Sequence, residues 1–276
     1  MRIFLTGSSG FIGRKFAILA AKKGNYIYAP IRKKKKKFFK HRNIKWLVGD
    51  FDKDWKYELS KSDILVHLAA DGVNKNFSKN IYEVNIFKSL KLFKNAIRAG
   101  CKKWLIVSTS SEYGKNKKSK RKLMLNTNRI PDSDYGLSKA ILSDQSQNLA
   151  KKFNCQVRIM RTFPTFGNGE NTKRLFPSLL KAIRKNKDFI IKNPFEKRDF
   201  SNVNFVSKII LDSLNFEKRK FKNCQIWHIS ENKPKNVKKF SEVLWKKYQA
   251  KGRLIFKKNS KRFFTHISDE SSLWKS

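Results

Sequence analysis

Acidic residues are scarce in this chain of 276 residues, which has 21 Asp and Glu against 64 Lys and Arg and a formal net charge of +43. A surface this basic attracts polyanions and steers anionic ligands, but it does not say which anion. Lys doublets recur along the chain between ordinary apolar runs, so we interpret the charge mainly as a bias spread over solvated faces. A dedicated nucleic-acid surface is the less favoured alternative.

Cysteine is also scarce. Cys101, Cys155 and Cys224 are odd in number and widely spaced, so we expect neither a disulfide framework nor a metal site. Long apolar runs are missing as well, and none approaches the roughly 20 residues of a membrane span. The chain opens directly into a strand and a glycine turn, without a signal peptide. We therefore expect a cytoplasmic protein that does not contact a membrane.

Apolar residues are present in sufficient number for a folded core, since they make up 39% of the chain and include 23 Phe. Through the first two-thirds, short apolar runs of strand character alternate with stretches of helical spacing. This alternation predicts an α/β fold, a Rossmann-like doubly wound parallel sheet. The predicted strands span 2–6, 25–31, 44–48, 63–69, 103–108 and 156–161, and the predicted helices span 14–23, 81–99 and 135–153.

The pattern loosens beyond residue 161, where helices are expected over 175–184 and 203–214. We predict a dinucleotide-binding domain over 1–160. The region 161–276 is then mainly a smaller C-terminal substrate-binding lobe that also contributes elements to the first domain. This lobe should lie over the carboxyl ends of the strands, where ligands bind in such sheets.

A glycine-rich turn follows the first predicted strand and opens a helix. Gly7, Gly10 and Gly13 have the spacing GxxGxxG. Glycine allows a tight turn and a close approach of a pyrophosphate to the backbone, and the helix N-terminus offers free N–H groups. The turn therefore predicts a site for NAD or NADP.

A basic run, IRKKKKKFFKHR, covers residues 31–42 and begins where the second predicted strand ends. Many dinucleotide-binding folds place a carboxylate there for the ribose hydroxyls, and this chain has Arg32 and Lys33 instead. A cation can pair with a 2′-phosphate, which slightly favours NADP over NAD. We expect Lys34–Lys37 only to raise the local positive potential.

Tyr135 and Lys139 form a YxxxK pair at the start of a predicted helix, so their side chains should lie one turn apart on one face. A nearby ammonium group stabilises a phenolate and lowers the pKa of the phenol, which would make Tyr135 a general acid/base. Ser108 and Thr109 come just past a strand end, where a hydroxyl can reach the same substrate oxygen.

Over residues 1–205 the chain resembles the NAD-dependent epimerase/dehydratase family of extended short-chain dehydrogenases/reductases, which act mainly on nucleotide sugars. Each motif alone is common, and their joint order is specific. The matching segments are TGSSGFIG (6–13), GD (49–50), HLAA (67–70), VN (84–85), STSSEYG (108–114), YGLSK (135–139), MR (160–161) and RDF (198–200).

The resemblance implies roles for individual residues. Thr109, Tyr135 and Lys139 would be catalytic, with Lys139 also holding the nicotinamide ribose. Substrate would contact Thr109, Ser110 and Arg198, the last through the sugar diphosphate. The cofactor would be bound by Gly7, Gly10, Phe11, Ile12, Gly13, Arg32, Asp50, Phe51, Leu68, Ala69, Ala70, Asn85, Ser108, Tyr135 and Lys139.

Departures from the family pattern bear on the reaction. Sugar dehydratases usually follow the catalytic Thr with Asp-Glu, whereas this chain has Ser110 and Ser111, which disfavours 4,6-dehydration. Pro164 replaces a common Asn after the Arg-x-Phe segment, and Phe205 stands where the V-x-D-V pattern after RDF usually has Asp. Both leave the identity of the sugar open.

The resemblance implies an NAD(P)-dependent nucleotide-sugar epimerase or 4-keto-sugar reductase, with a nucleoside diphosphate sugar as substrate. It also implies a possible homodimer formed through helices 81–99 and 135–153. The alternative from another class is a non-catalytic dinucleotide-binding regulator or nucleic-acid-associated protein on the same fold. That alternative predicts tight binding to DNA or RNA with a steep salt dependence.

Overall fold

A parallel sheet of seven strands forms the centre of the computed structural model, which describes residues 1–33, 39–72, 79–114, 122–217, 223–257 and 265–274. Lys34–Lys37 of the basic run lie outside the described residues. The seven strands are β1 (Arg2–Thr6), β2 (Tyr26–Ile31), β3 (Ile44–Val48), β4 (Ile64–His67), β5 (Lys103–Thr109), β6 (Gln156–Thr162) and β11 (Cys224–Ile229). Their order in the sheet is β3-β2-β1-β4-β5-β6-β11.

The doubly wound topology predicted from the sequence is confirmed. β1 pairs in parallel with both β2 and β4, so the strand order reverses between β1 and β4. This reversal opens a crevice beyond the carboxyl ends of the two strands, where ligands bind in open α/β sheets. The six predicted strands form with shifts of one or two residues at their ends. β11 was not predicted, and it completes the sheet beside β6.

Helices cover both faces of this sheet. Successive residues of β1 point to opposite faces, and accordingly Ile3 and Leu5 belong to one apolar core and Phe4 to the other. The first core includes residues of α1 and α7, and the second includes residues of α4 and α5. The helices are α1 (Phe11–Lys22), α2 (Lys56–Ser60), α3 (Lys79–Tyr82), α4 (Ser89–Arg98), α5 (Asp134–Phe153), α6 (Leu175–Arg184), α7 (Val203–Asp212) and α8 (Val237–Lys247).

A π-helical turn, Glu83–Lys88, joins α3 to α4, so the helix predicted over 81–99 is continuous but locally widened. π-turns of this kind are frequent at functional sites. Here the turn carries Asn85 and Lys88, whose side chains reach the site described below. The homodimer expected through α4 and α5 stays a prediction. Phe87, on the π-turn that precedes α4, is an apolar side chain that is 63% exposed.

The C-terminal lobe has its own apolar core, built on Phe176, Leu179, Phe200 and Phe240. Its short strands form three small sheets. The expected division at residue 160 stays a prediction, because α7 and β11 return from the later region to the large sheet. Within the described ranges, no helix has the length and apolar character needed to cross a membrane. The lobe strands are β7 (Thr165–Phe166), β8 (Phe189–Ile191), β9 (Lys197–Arg198), β10 (Ser201–Asn202), β12 (Lys235–Asn236), β13 (Leu254–Phe256) and β14 (Thr265–His266).

Candidate active site

The glycine turn links β1 to α1 at the crevice of the sheet. Gly7 has φ +71°, and a Cβ there would lie 2.6 Å from the backbone of Leu68 and Ala69; a Cβ on Gly13 would lie 2.1 Å from the Gly7 carbonyl oxygen. Only glycine fits both positions without displacing backbone. No side chain of the described chain caps α1, and its first turn holds no acidic residue, so its N–H groups are available to an anion.

Beyond β2 and β3 the side chains of Arg32 and Asp50 lie close enough for their charges to interact. The Asp50 carboxylate accepts a hydrogen bond from Lys88 Nζ at 2.5 Å and from the Phe51 backbone N–H at 2.8 Å. Burial opposes ionisation of Asp50, but Lys88, the Phe51 amide and the charge of Arg32 together hold its pKa below the usual value. Arg32 itself is exposed and therefore accessible to a ligand.

Asn85 ties the loop after β4 to α5. Its Oδ1 accepts the Asp71 N–H at 2.8 Å, while its Nδ2 donates to the Asp71 carbonyl at 3.0 Å and to Ser138 Oγ at 2.9 Å. The side chain is fully buried. These three hydrogen bonds fix the loop that carries Leu68, Ala69 and Ala70 against the helix that carries Tyr135. Asn85 thus organises the site from beneath.

The side chain of Thr109 lies close enough to the Tyr135 phenol to act on its pKa. The Thr109 hydroxyl accepts the Ser111 N–H at 3.1 Å, which caps the short 3₁₀ turn after β5, and donates to Ser111 Oγ at 3.2 Å. Burial raises the pKa of Tyr135 to about 12; the nearby Arg174 guanidinium and the Thr109 side chain oppose this rise, and the charge of Glu112 adds to it. The phenol is therefore held in its protonated form at neutral pH.

Lys139 lies one turn along α5 from Tyr135 and is 2% exposed. Burial lowers the pKa of its ammonium group to about 8, and the charge of Glu112 opposes that shift. The sequence predicted that Lys139 would depress the pKa of Tyr135. The structure differs, because burial dominates for both groups and the cation acting on Tyr135 is Arg174.

A cleft of about 600 Å³ runs from the glycine turn to the C-terminal lobe. Ser111, Lys173 and Arg174 also line it, together with His266 and an aromatic wall that includes Phe166 and Phe200. The candidate residues that line the cleft are Gly7, Gly10, Phe11, Ile12, Gly13, Leu68, Ala70, Ser108, Thr109, Ser110, Tyr135 and Arg198. Among the described residues, the other candidates do not line the cleft; they are Arg32, Asp50, Phe51, Ala69, Asn85 and Lys139.

Two arginines face the lobe side of the cleft, and each is held by a glutamate. Arg198 makes a bidentate contact with Glu196, at 3.1 Å from Nε and 2.8 Å from Nη2. Arg174 Nε lies 2.7 Å from Glu170 Oε1. Burial raises the pKa of Glu170 to about 7 despite this cation. The guanidinium groups are a third exposed and can therefore meet an anionic ligand.

Sequence reasoning missed Arg174, Glu170 and Glu112. Arg174 precedes α6 and has no distinctive motif around it. Glu112 stands inside the quoted segment STSSEYG, but only the fold reveals that it is fully buried. Its position in the sequence beside the candidate catalytic hydroxyl groups was the one indication that could have found it.

The parallel sheet, the uncapped glycine turn and the Tyr–Lys helix together define a dinucleotide-binding protein of the Rossmann class. A family model described as "NAD dependent epimerase/dehydratase family" matches residues 3–223. The chain belongs to this family and is an enzyme of the extended short-chain dehydrogenase/reductase type.

Curated relatives carry several activities within the family. The UDP-glucose 4-epimerase of Vibrio cholerae is 28% identical over 229 residues, which cover 78% of this chain and 67% of the relative. The GDP-6-deoxy-D-talose 4-dehydrogenase of Aggregatibacter actinomycetemcomitans is 26% identical over 217 residues, covering 76% and 69%. The dTDP-4-dehydro-6-deoxyglucose reductase of Escherichia coli is 25% identical over 175 residues, covering 62% and 53%.

Solved structures share the fold over almost the whole chain. The UDP-N-acetylglucosamine 4-epimerase from Methanobrevibacter ruminantium M1, in complex with UDP-N-acetylmuramic acid, superposes with a TM-score of 0.86 at 21% identity, covering 98% of this chain and 89% of the other. MoeE5 in complex with UDP-glucose and NAD gives a TM-score of 0.84 at 18% identity, with coverages of 98% and 89%. These likenesses establish the Rossmann-like architecture.

Proposed function

We propose that this enzyme is a nucleotide-sugar 4-epimerase that uses a nicotinamide cofactor, with Tyr135 as the acid/base. The observation that carries the proposal is that Tyr135 and Thr109 line the same cleft as the glycine turn, with Thr109 close enough to act on the pKa of Tyr135. A proton donor and a second hydroxyl thereby converge on one point beside a cofactor cradle. A sugar hydroxyl or carbonyl placed there meets both groups.

The chain's own residues move the proton and stabilise charge. The phenol of Tyr135 gives its proton to the sugar oxygen during reduction, and the phenolate that remains takes the proton of a sugar hydroxyl during oxidation. Thr109 donates a hydrogen bond to the oxygen as it gains negative charge. Lys139 orients the nicotinamide ribose, and the Arg174 guanidinium supplies positive charge near Tyr135. The bound nicotinamide supplies the hydride acceptor and donor.

Cations around the cleft support a diphosphate substrate. Arg198 and Arg174 reach it from β9 and from the start of α6, and Lys173 lies beside Arg174. Planar guanidinium groups suit phosphate oxygens. Ser110 and Ser111 line the same cleft in place of the Asp-Glu of sugar dehydratases, and hydroxyl groups cannot supply the acid/base pair that water elimination needs. An epimerase needs no such pair.

A 4-keto-sugar reductase is the second candidate, and Arg32 is the observation that favours it. Arg32 is an exposed cation at the end of β2, and its charge helps to lower the pKa of Asp50. It can pair with the 2′-phosphate of NADP. A reductase releases oxidised cofactor after each turnover, whereas an epimerase retains its cofactor throughout the cycle.

The test combines cofactor titration with product analysis. Purified protein is titrated with NADH and NADPH by fluorescence and is then incubated with UDP-glucose or UDP-galactose. Interconversion of the two sugars without net cofactor oxidation supports the epimerase. In a parallel incubation with NADPH and a nucleotide-linked 4-keto sugar, release of oxidised cofactor with reduction of the ketone supports the reductase. Failure to bind either cofactor, with tight salt-sensitive binding to DNA or RNA instead, contradicts both and favours the non-catalytic alternative.

A further inference from the structure

Glu112 is a fully buried carboxylate directly behind the candidate catalytic groups. It lies in the 3₁₀ turn Ser110–Tyr113 that follows β5, three residues after Thr109. A buried charge is costly unless it is paired and hydrogen-bonded. Glu112 is both, and its partners come from four separate parts of the fold.

One carboxylate oxygen joins strand to helix. Glu112 Oε1 accepts a hydrogen bond from Ser108 Oγ on β5 and another, at 2.6 Å, from Ser143 Oγ on α5. Ser143 lies one turn from Lys139 on the same helix, and Ser108 is adjacent to Thr109. The oxygen therefore fixes the strand end that carries Thr109 against the helix that carries Lys139.

The other carboxylate oxygen faces two arginines of unequal burial. Glu112 Oε2 lies 3.0 Å from Arg161 Nε and 3.3 Å from Arg129 Nη1. Arg161 is 2% exposed and also donates to the Tyr113 hydroxyl at 2.6 Å. The Arg129 side chain is 27% exposed and also binds Asp144 at 2.7 Å. Arg129 can thus be removed at less structural cost than Arg161.

We propose that Glu112 is a positioning residue for the reaction: as a buried anion hydrogen-bonded to Ser108 and Ser143, it holds the end of β5 that carries Thr109 against the part of α5 that carries Lys139. This inference rests on the proposed function only in treating Lys139 as a working group of the site. Without a compensating anion, a cation as buried as Lys139 would lose its proton easily. A neutral Lys139 would supply no positive charge at the nicotinamide ribose that it is proposed to hold.

The surroundings of Lys139 make Glu112 the anion acting on it. Burial and the charge of Lys139 hold the pKa of His67, on β4, well below its usual range. His67 therefore carries no charge at neutral pH. Tyr135, on the same helix, is a neutral phenol with its pKa at about 12, and Arg174 faces that phenol. The charge of Glu112 raises the pKa of Lys139 against the effect of burial.

Two substitutions should shift the pKa of Lys139 in opposite directions. Glu112→Gln removes the anion, so the pKa of Lys139 should fall by about one unit. Arg129→Met removes a cation that offsets Glu112, so the pKa of Lys139 should rise, by less because Arg129 is partly screened by solvent. A purely structural role would impair both variants in the same way and would not produce opposite signs.

The experiment follows Lys139 directly in the cofactor-free protein by NMR, using lysine labelled with ¹³C at Cε. Lys139 is expected to titrate near pH 8, below ordinary lysines near 10.4, and its resonance is assigned by its loss in Lys139→Met. Glu217→Gln is the matched control, because Glu217 pairs with Lys103 at the opposite end of β5, about 17 Å away along the strand.

A lower midpoint in Glu112→Gln, a higher one in Arg129→Met and no change in Glu217→Gln are the expected results. If Glu112→Gln does not fold, the upward shift in Arg129→Met still tests the proposal. Unchanged midpoints in the folded variants overturn it. Because the titration needs neither cofactor nor substrate, its failure is distinguishable from failure of the proposed epimerase or reductase activity.

Discussion

Tyr135 and Thr109 line one cleft at the junction of β5 and α5, and Thr109 is close enough to act on the pKa of the Tyr135 phenol. Thr109 is the last residue of β5, and Tyr135 lies in the first turn of α5. Because β5 belongs to the central sheet and α5 packs on that sheet, both hydroxyl groups are positioned by the core of the fold. A substrate oxygen placed beside them meets two hydroxyl groups at once.

Tyr135→Phe should abolish most turnover while preserving cofactor binding. The substitution removes the proton donor and leaves the ring in place. General acid/base groups contribute about 100- to 10,000-fold to a rate, so kcat should fall within that range. Steady-state kinetics with the identified nucleotide sugar, together with fluorescence titration of the cofactor, check the two parts. A variant with kcat within a few-fold of the wild type would remove Tyr135 from its proposed role.

Thr109→Val and Thr109→Ser separate hydroxyl chemistry from packing. Valine keeps the branched shape and loses the hydroxyl group, so kcat should fall by about 100-fold or more, as when one donor to an oxyanion is lost. Serine keeps the hydroxyl group and should retain most activity. Equal losses in the two variants, measured side by side, would show that packing alone matters at this position.

Gly7→Ala should weaken both folding and cofactor binding. The alanine Cβ would lie 2.6 Å from backbone atoms of Leu68 and Ala69, which directly follow β4. Gly24→Ala is the matched control, because Gly24 also has positive φ, at +82°, but faces open space within 4 Å. Both substitutions incur about 1–2 kcal/mol for the left-handed conformation. Urea unfolding should show a further loss of about 1–3 kcal/mol in Gly7→Ala alone, and equal losses would contradict the close approach.

Arg32→Ala should change the choice between cofactors. A charge-assisted contact with the 2′-phosphate contributes about 1.5–3 kcal/mol, so NADPH affinity should fall at least about tenfold while NADH affinity stays the same. Arg98→Ala, an exposed arginine in the last turn of α4, controls for the general loss of positive charge. Equal affinity of the wild type for NADH and NADPH would remove the preference for NADP.

Glu170→Gln should alter how stability depends on pH. Burial raises the pKa of Glu170 from 4.5 to about 7, so between these values the folded state binds more protons than the unfolded state. Stability that is present below about pH 4.5 is therefore lost as pH rises through 7. A glutamine at this position does not ionise and avoids the loss.

The free energy of unfolding of the wild type should thus fall relative to Glu170→Gln by on the order of 2 kcal/mol between pH 5 and pH 8. Urea titrations at both pH values measure the difference. Glu242→Gln, on the partly exposed Lys238–Glu242 pair of α8, is the control and should track the wild type. Parallel pH profiles for wild type and Glu170→Gln would show that Arg174 keeps Glu170 ionised throughout.

Local spacing in the sequence was sufficient to predict the elements that carry the site. The YxxxK spacing put Tyr135 and Lys139 on one helix, and α5 does begin at Asp134. The glycine turn was predicted at the junction of β1 and α1, where it forms. Both predictions rest on residues close in sequence, for which the helical period and the need for glycine at positive φ are nearly sufficient rules.

Contacts between distant residues were out of reach of the same rules. Nothing near Glu112 in the sequence indicates that Arg161, 49 positions later, will pair with it. The π-turn at Asn85 and the approach of Arg174 to Tyr135 likewise depend on packing between separate elements. Burial also decides the pKa values of Tyr135 and Lys139, and burial is a property of the assembled fold.

The seven-stranded sheet is completed only by β11, which is synthesised long after the other six strands. Arg158 on β6 is fully buried, and its guanidinium group donates to the carbonyl oxygens of Ser213 and Asn215, at 2.6 and 3.0 Å. Until β11 emerges from the ribosome, β6 is an open edge strand, a surface prone to pairing with other chains. A nascent chain halted near residue 205 should therefore depend on chaperones and aggregate without them.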